Sequence, residues 1–104
     1  MLRIPLSVEE LDYNFQESEV LNMKVYSIKD TKGAFEAPFL ANNDQIAARN
    51  VKTYINSQKG IAESLYPEDF ELWYIGEFDE LTGIIQPAEL SCVCRLVALK
   101  DEAA

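Results

Sequence analysis

A chain of 104 residues, 48% hydrophobic and 26% charged, has the size and make-up of one globular domain, which excludes wholesale disorder and two domains of ordinary size. No apolar run approaches the roughly 20 residues that cross a bilayer. With a formal net charge of −9 and a pI near 4.3, the molecule as a whole repels polyanions at long range, which argues against a strongly basic nucleic-acid binder.

Residues 1–22 hold five acids, one base and no apolar centre, the wrong pattern for a signal peptide, so the expected location is the cytoplasm in which the chain is made. Within them Ser7 and Glu10 form a capping box, Leu6 can staple against Leu11, and Val8, Leu11 and Phe15 share a face. The spacing predicts a short helix near residues 8–17, in an acidic extension that fits a docking helix, a cover for a sheet or a divergent end.

Residues 20–30 read as a strand with Val25, Tyr26 and Ile28 as packing groups. Asp30-Thr31-Lys32-Gly33 carries turn chemistry. Phe35 to Leu40 is the returning strand, which Pro38 confines to an edge or a bulge. Asn42 or Asn43 caps the next helix, with Asp44 in its first turn. Over 44–57, Ile46, Ala47, Asn50, Val51, Tyr54 and Ile55 fall on one side at helical period, and Arg49, Lys52 and Asn56 on the other. The helix should bury Ile46, Val51, Tyr54 and Ile55 against Val25, Ile28, Leu72 and Tyr74.

Ile61 to Leu65 adds a helical turn that Pro67 stops. Phe70 to Phe78 is the strongest strand: strict alternation sends Phe70, Leu72, Tyr74 and Phe78 one way and Glu71, Trp73, Ile75 and Glu77 the other. Asp79 to Gly83 makes a hairpin loop. Ile84–Gln86 and Ser91–Leu99 continue as strand, interrupted at Pro87, and residues 100–104 fray. The pattern is one α+β domain over 23–99: an antiparallel sheet of about four strands, one main helix packed on one face, and a short N-terminal helix.

Chemistry is constrained by what the chain lacks. Without histidine there is no Ser–His or Cys–His pair and no imidazole ligand, so the reading is a non-enzymatic protein without metal or cofactor. Cys92 and Cys94, two apart on one strand, are poorly placed for a mutual disulfide and read as reduced thiols. The carboxylates Glu68, Asp69, Glu71, Glu77, Asp79 and Glu80 read mainly as a solvated face and turn punctuation; a magnesium pair at Asp79 and Glu80 is too common a pattern to be specific.

The charge is unevenly distributed. Residues 1–22 net −4, residues 23–59 net +3 and residues 60–104 net −8, so a modest basic centre is framed by acidic ends. Arg49, Lys52 and Lys59 form a positive helix face able to meet phosphates, and Lys24, Lys29 and Lys32 flank the first hairpin. Trp73 fits either of two roles: a platform for an unpaired base, or a subunit contact. Interaction through protein surfaces is a third class of reading: Pro38 and the Pro87 break mark strand edges under management, and a homodimer, the commonest assembly, is one form it can take.

Three blocks carry a resemblance: MKVYSIKD at 23–30, APFLANND at 37–44 and PEDFELWYIGEFDELTG at 67–83. In order and spacing they resemble the small non-structural protein of the gokushoviruses, single-stranded DNA phages of the Chlamydia-microvirus type. The resemblance covers Met23 to Gly83. It implies an accessory protein of single-stranded DNA replication or packaging, in the host cytoplasm and outside the virion, binding single-stranded DNA weakly. Its alternative is an adaptor whose acidic turn, with Glu77, Asp79 and Glu80, engages a phage or host replication protein. No catalytic motif is carried over.

Overall fold

A computed structural model of the chain describes residues 22–101; the helix expected near residues 8–17 lies outside them. The elements are β1 (Asn22–Asp30), β2 (Phe39–Ala41), α1 (Asp44–Ser57), α2 (Ala62–Leu65), β3 (Phe70–Asp79) and β4 (Ile85–Arg95). Short 3₁₀ turns at Pro67–Asp69 and Leu96–Leu99 lead into β3 and out of β4. The strands form one antiparallel sheet in the order β2-β1-β3-β4, and α1 packs on one face. The fold is α+β with four strands and one main helix.

Asn43 supplies the helix cap. Its backbone is extended and its Oδ1 accepts from the Ile46 N–H at 2.9 Å, while Asp44 opposes the positive end of the helix. At the other end the Gln58 N–H donates to the Tyr54 carbonyl. Asn56 then ties the helix to the chain's last described residues: its Nδ2 donates to the Leu99 carbonyl and its Oδ1 accepts from the Asp101 N–H.

The core is the row Ala47, Val51 and Ile55 set on Tyr26, Ile28, Phe70, Leu72 and Leu96. Ile55 and Leu72 are fully buried, each contributing about 1.5–3 kcal/mol by removal from water. Three expectations change here. Tyr54 is 46% exposed, because it sits about 60° around the helix from Val51 and overlooks the β2 side of the sheet. Ile46 is only half-buried at the helix start. Val25 is buried but faces away from α1, since neighbouring residues of a strand point to opposite faces and Tyr26 takes the helix side.

Two irregularities shape the sheet. Tyr26 pairs with Tyr74 and Val25 with Gly76, so Ile75 is an extra residue in β3 without a partner on either neighbouring strand. The bulge breaks strict alternation: Glu77, expected beside Trp73, shares the helix face with Tyr74 and Lys24. β4 runs unbroken through Pro87 instead of stopping there, because an edge strand tolerates a residue without an N–H. The returning segment after the first turn is looser than expected. It pairs regularly only at Phe39–Ala41, with a single bridge from Phe35 to Lys29 and a 2.8 Å bond from the Glu36 N–H to the Ile28 carbonyl.

At Gly76 the β4 backbone lies close, and a Cβ there would stand 2.6 Å from the Gln86 carbonyl oxygen. Gly76→Ala is therefore expected to cost about 1–3 kcal/mol of unfolding free energy through a forced backbone shift. Gly60→Ala, with nothing within 4 Å of the added carbon, should stay within about 0.5 kcal/mol. Urea titration of both variants reads the difference; equal midpoints would show that the strand contact yields freely.

Candidate nucleic-acid interface

On the sheet face away from α1, β1 presents Lys29 and β3 presents Trp73, one strand apart. Their positions follow from register: Ser27 pairs with Trp73 and Lys29 with Glu71. The turn after β1 folds Phe35 back over them. Asp30 Oδ1 accepts from the Lys32 N–H at 2.9 Å and the Asp30 carbonyl accepts from the Gly33 N–H at 2.8 Å, closing that turn tightly. The Phe35 ring meets Trp73 edge-on, centroids 6.2 Å apart at 83°, and Lys29 Nζ stands 5.5 Å from the centre of the Phe35 ring. Phe35 is 39% exposed and Trp73 half-buried, so the rings are partly open to solvent. Trp73 Nε1 donates to Glu71 Oε1 at 2.9 Å, which fixes the indole plane.

The remaining sequence-selected cations are dispersed. Arg49, Lys52 and Lys59 are exposed on and just beyond α1, across the sheet from Trp73, and make no ion pair among the described residues. Lys32 pairs with Asp69 at 3.5 Å beside the first turn. Lys24 lies on the helix face, 3.5 Å from Glu77 Oε2 and 5.1 Å from the centre of the Tyr74 ring. Sequence reasoning therefore selected Lys29 and Trp73, which the fold unites. It missed Phe35, placed by a lone bridge that alternation does not reveal.

Around Lys24 the helix face holds a polar cluster. The Tyr74 hydroxyl donates to Glu77, and the Tyr26 hydroxyl donates to Asp44 Oδ1 at 2.6 Å. The bond to Glu77, helped by burial, pushes Tyr74 up to about 12, and burial with the Asp44 bond raises Tyr26 further. Both phenols thus stay protonated donors, and Asp44 fills the helix N-terminus where an anion would otherwise sit. Burial also raises both thiols, Cys92 and Cys94, which disfavours thiolate chemistry.

The acidic turn is built as a loop. Asp79 Oδ1 accepts from the Leu81 N–H at 2.9 Å and the Thr82 N–H at 3.3 Å, and Gly83 takes the left-handed conformation at φ 77°. Glu80 is exposed beside it, whereas Glu77 points to Lys24.

A family model described as Phage ORF5 protein matches residues 23–99. No curated protein and no solved structure matches the chain. None of its helices among the described residues is long and apolar enough to cross a membrane.

One acid stands apart. Glu36, on the helix side of the sheet edge, is half-buried with Glu63 of α2 as its acidic neighbour; burial first, and that neighbour second, push its carboxyl up to about 8. The folded state thus holds a proton that the unfolded chain releases near 4.5. The stabilisation linked to that proton is full below pH 4.5 and is lost as pH rises through about 8. Urea denaturation of Glu36→Gln should show this part of the decline removed, with a gain in stability near pH 8. A decline as steep as in the unmutated chain would place the responsible group elsewhere.

Proposed function

This chain belongs to the Phage ORF5 protein family, matched over about three quarters of its length, and from that premise we propose a non-enzymatic accessory protein of phage single-stranded DNA replication or packaging. It works in the host cytoplasm, outside the virion, and binds single-stranded DNA weakly. The observation that carries the reading is the junction of Lys29, Phe35 and Trp73 on the sheet face opposite the helix. Aromatic rings on an open sheet stack unpaired bases without regard to sequence, and a neighbouring ammonium neutralises the phosphate that follows. An acidic molecule can bind DNA this way because stacking acts at contact and is not screened by net charge.

A second reading, a protein adaptor, is favoured by the β3–β4 hairpin. Leu81, Ile84, Ile85 and Leu90 are 74%, 53%, 62% and 52% exposed there, beside Asp79 and Glu80. Such a mixed apolar and acidic tip suits a basic protein surface, and a phage or host replication protein is the partner it would take.

Fluorescence anisotropy of a labelled single-stranded oligonucleotide at low salt separates the readings. The unmutated protein should bind with a shallow salt dependence, a slope near −0.7 per phosphate contact. Trp73→Ala should weaken binding by about 1–3 kcal/mol, and Lys29→Glu should weaken it with the indole intact. Arg49→Glu with Lys52→Glu should leave that contact in place. A loss confined to the double variant would move the site to the helix face. No binding by the unmutated chain would leave the adaptor reading ahead.

A further inference from the structure

The face of Trp73 carries more than its junction with Lys29 and Phe35. Register sets Glu71 of β3 opposite Lys29 of β1 on one side and opposite Arg95 of β4 on the other. Residues directly opposite on neighbouring strands point to one face, so a carboxylate stands between two cations in a row across the sheet. Two hydrogen bonds hold this row. Trp73 Nε1 donates to Glu71 Oε1 at 2.9 Å, and Arg95 Nη2 donates at 2.9 Å to the Glu68 carbonyl, in the turn that leads into β3. Cys92, opposite Trp73, feels both charges: burial and the Glu71 carboxylate raise its thiol, and the Arg95 guanidinium works the other way. Glu71 is half-buried and Arg95 exposed.

A carboxylate has about four acceptor sites, and the indole N–H takes one of them. The others lie at the rim of the indole, beside a base stacked on it. Resting on the reading of this face as a single-strand site, we propose that Glu71 selects the stacked base. It accepts from an exocyclic amino group, so bases that carry one bind in preference to thymine and uracil, while Lys29 and Arg95 hold the phosphates on either side of that nucleotide. Carboxylates take the cytosine amine in the same way in DNA grooves. Thymine and uracil instead turn two carbonyl oxygens to that edge, with a single N–H between them, and those oxygens repel a carboxylate.

The two cations make an acid tolerable here, since they leave the row net positive. Lys29 and Arg95 spring from strands two spacings apart, about 10 Å between backbones. Their long side chains lean over β3 from opposite sides, with one nucleotide between them. Arg95 suits a phosphate because its planar fork presents parallel N–H donors.

The test is fluorescence anisotropy of the full chain with short labelled oligodeoxycytidine and oligodeoxyuridine of one length, at neutral pH and low salt. The two pyrimidines share ring size and lack the methyl group, so they differ only along the edge that Glu71 would read. Oligodeoxycytidine should bind about tenfold tighter, the worth of one hydrogen bond to a charged group. Glu71→Gln keeps an oxygen for the indole N–H; it should cut the preference to about twofold and strengthen binding of oligodeoxyuridine, a gain that mere damage to the site does not produce. Arg95→Gln should weaken both oligonucleotides alike and make the salt slope shallower by about 0.7. Equal affinities in the unmutated chain, or a preference that survives Glu71→Gln, overturn base selection, and binding still lost in Trp73→Ala would then leave the single-strand reading standing. Indifference to Arg95→Gln removes Arg95 from the site and overturns the two-cation arrangement. Binding of neither oligonucleotide overturns both the inference and the reading on which it rests.

Discussion

One extra residue in β3 decides what each face of this sheet carries. With Ile75 left out of the pairing, the alternation that holds from Phe70 to Tyr74 is reset before Glu77. Trp73 stays on the open face, while Glu77 turns to the helix face and meets Tyr74 and Lys24. Without the bulge, a second carboxylate besides Glu71 would share that face, four residues beyond Trp73. The same irregularity sets Gly76 against Gln86, a contact that tolerates no side chain. A local increase in twist of this kind is how strands re-aim side chains near functional surfaces.

The sequence was legible where a local rule had no competitor. The α1 boundaries followed from an asparagine cap, an acidic first turn and a sustained helical period, and Asp79 to Gly83 followed from turn chemistry. Tyr54 was misplaced because helical period gives a broad apolar stripe and does not say how far round the helix its neighbours reach. Pro87 was read as a break because the edge position of β4 depends on strand order, a property of the whole sheet. Ile75 could not be seen at all, since a β-branched apolar residue suits regular strand and bulge alike. At the site, Lys29 and Trp73 were legible as residue types, but their junction depended on register and on Phe35 folding back.

Charge acts here at two ranges. The net −9 opposes the approach of any nucleic acid from a distance, and the opposition weakens with salt as the Debye length shortens. At contact, the face away from α1 offers one ammonium and two partly exposed rings beside the buried Val25 and Ser27, with Glu71 engaged by the indole N–H. Lys24 and Lys32 are held in partly exposed ion pairs, which contribute about 0–1 kcal/mol each and yield easily to a competing anion. Arg49, Lys52 and Lys59 make no ion pair among the described residues, but they face the other way. What sets the face of Trp73 apart is that Lys29 stands 5.5 Å from the centre of a ring that itself meets a second ring, so a cation and two rings act there at one point.

The aromatic patch and the helix side of the sheet edge are joined through two consecutive residues. Phe35 covers the open face beside Trp73, and Glu36 turns its carboxyl to the helix side. The segment that carries both is fastened to β1 by two backbone bonds, from the Asp30 N–H to the Ala34 carbonyl and from the Glu36 N–H to the Ile28 carbonyl, and by the Ser27 hydroxyl, which donates to the Glu36 carbonyl at 2.7 Å. This attachment is separate from the core, which rests on Ala47, Val51 and Ile55. Ionisation of Glu36 puts two carboxylates against each other and pushes on this segment from one side. The Lys29 ammonium holds Phe35 from the other. Phe35 and Glu36 thus bind the two faces of the sheet to one short segment of chain.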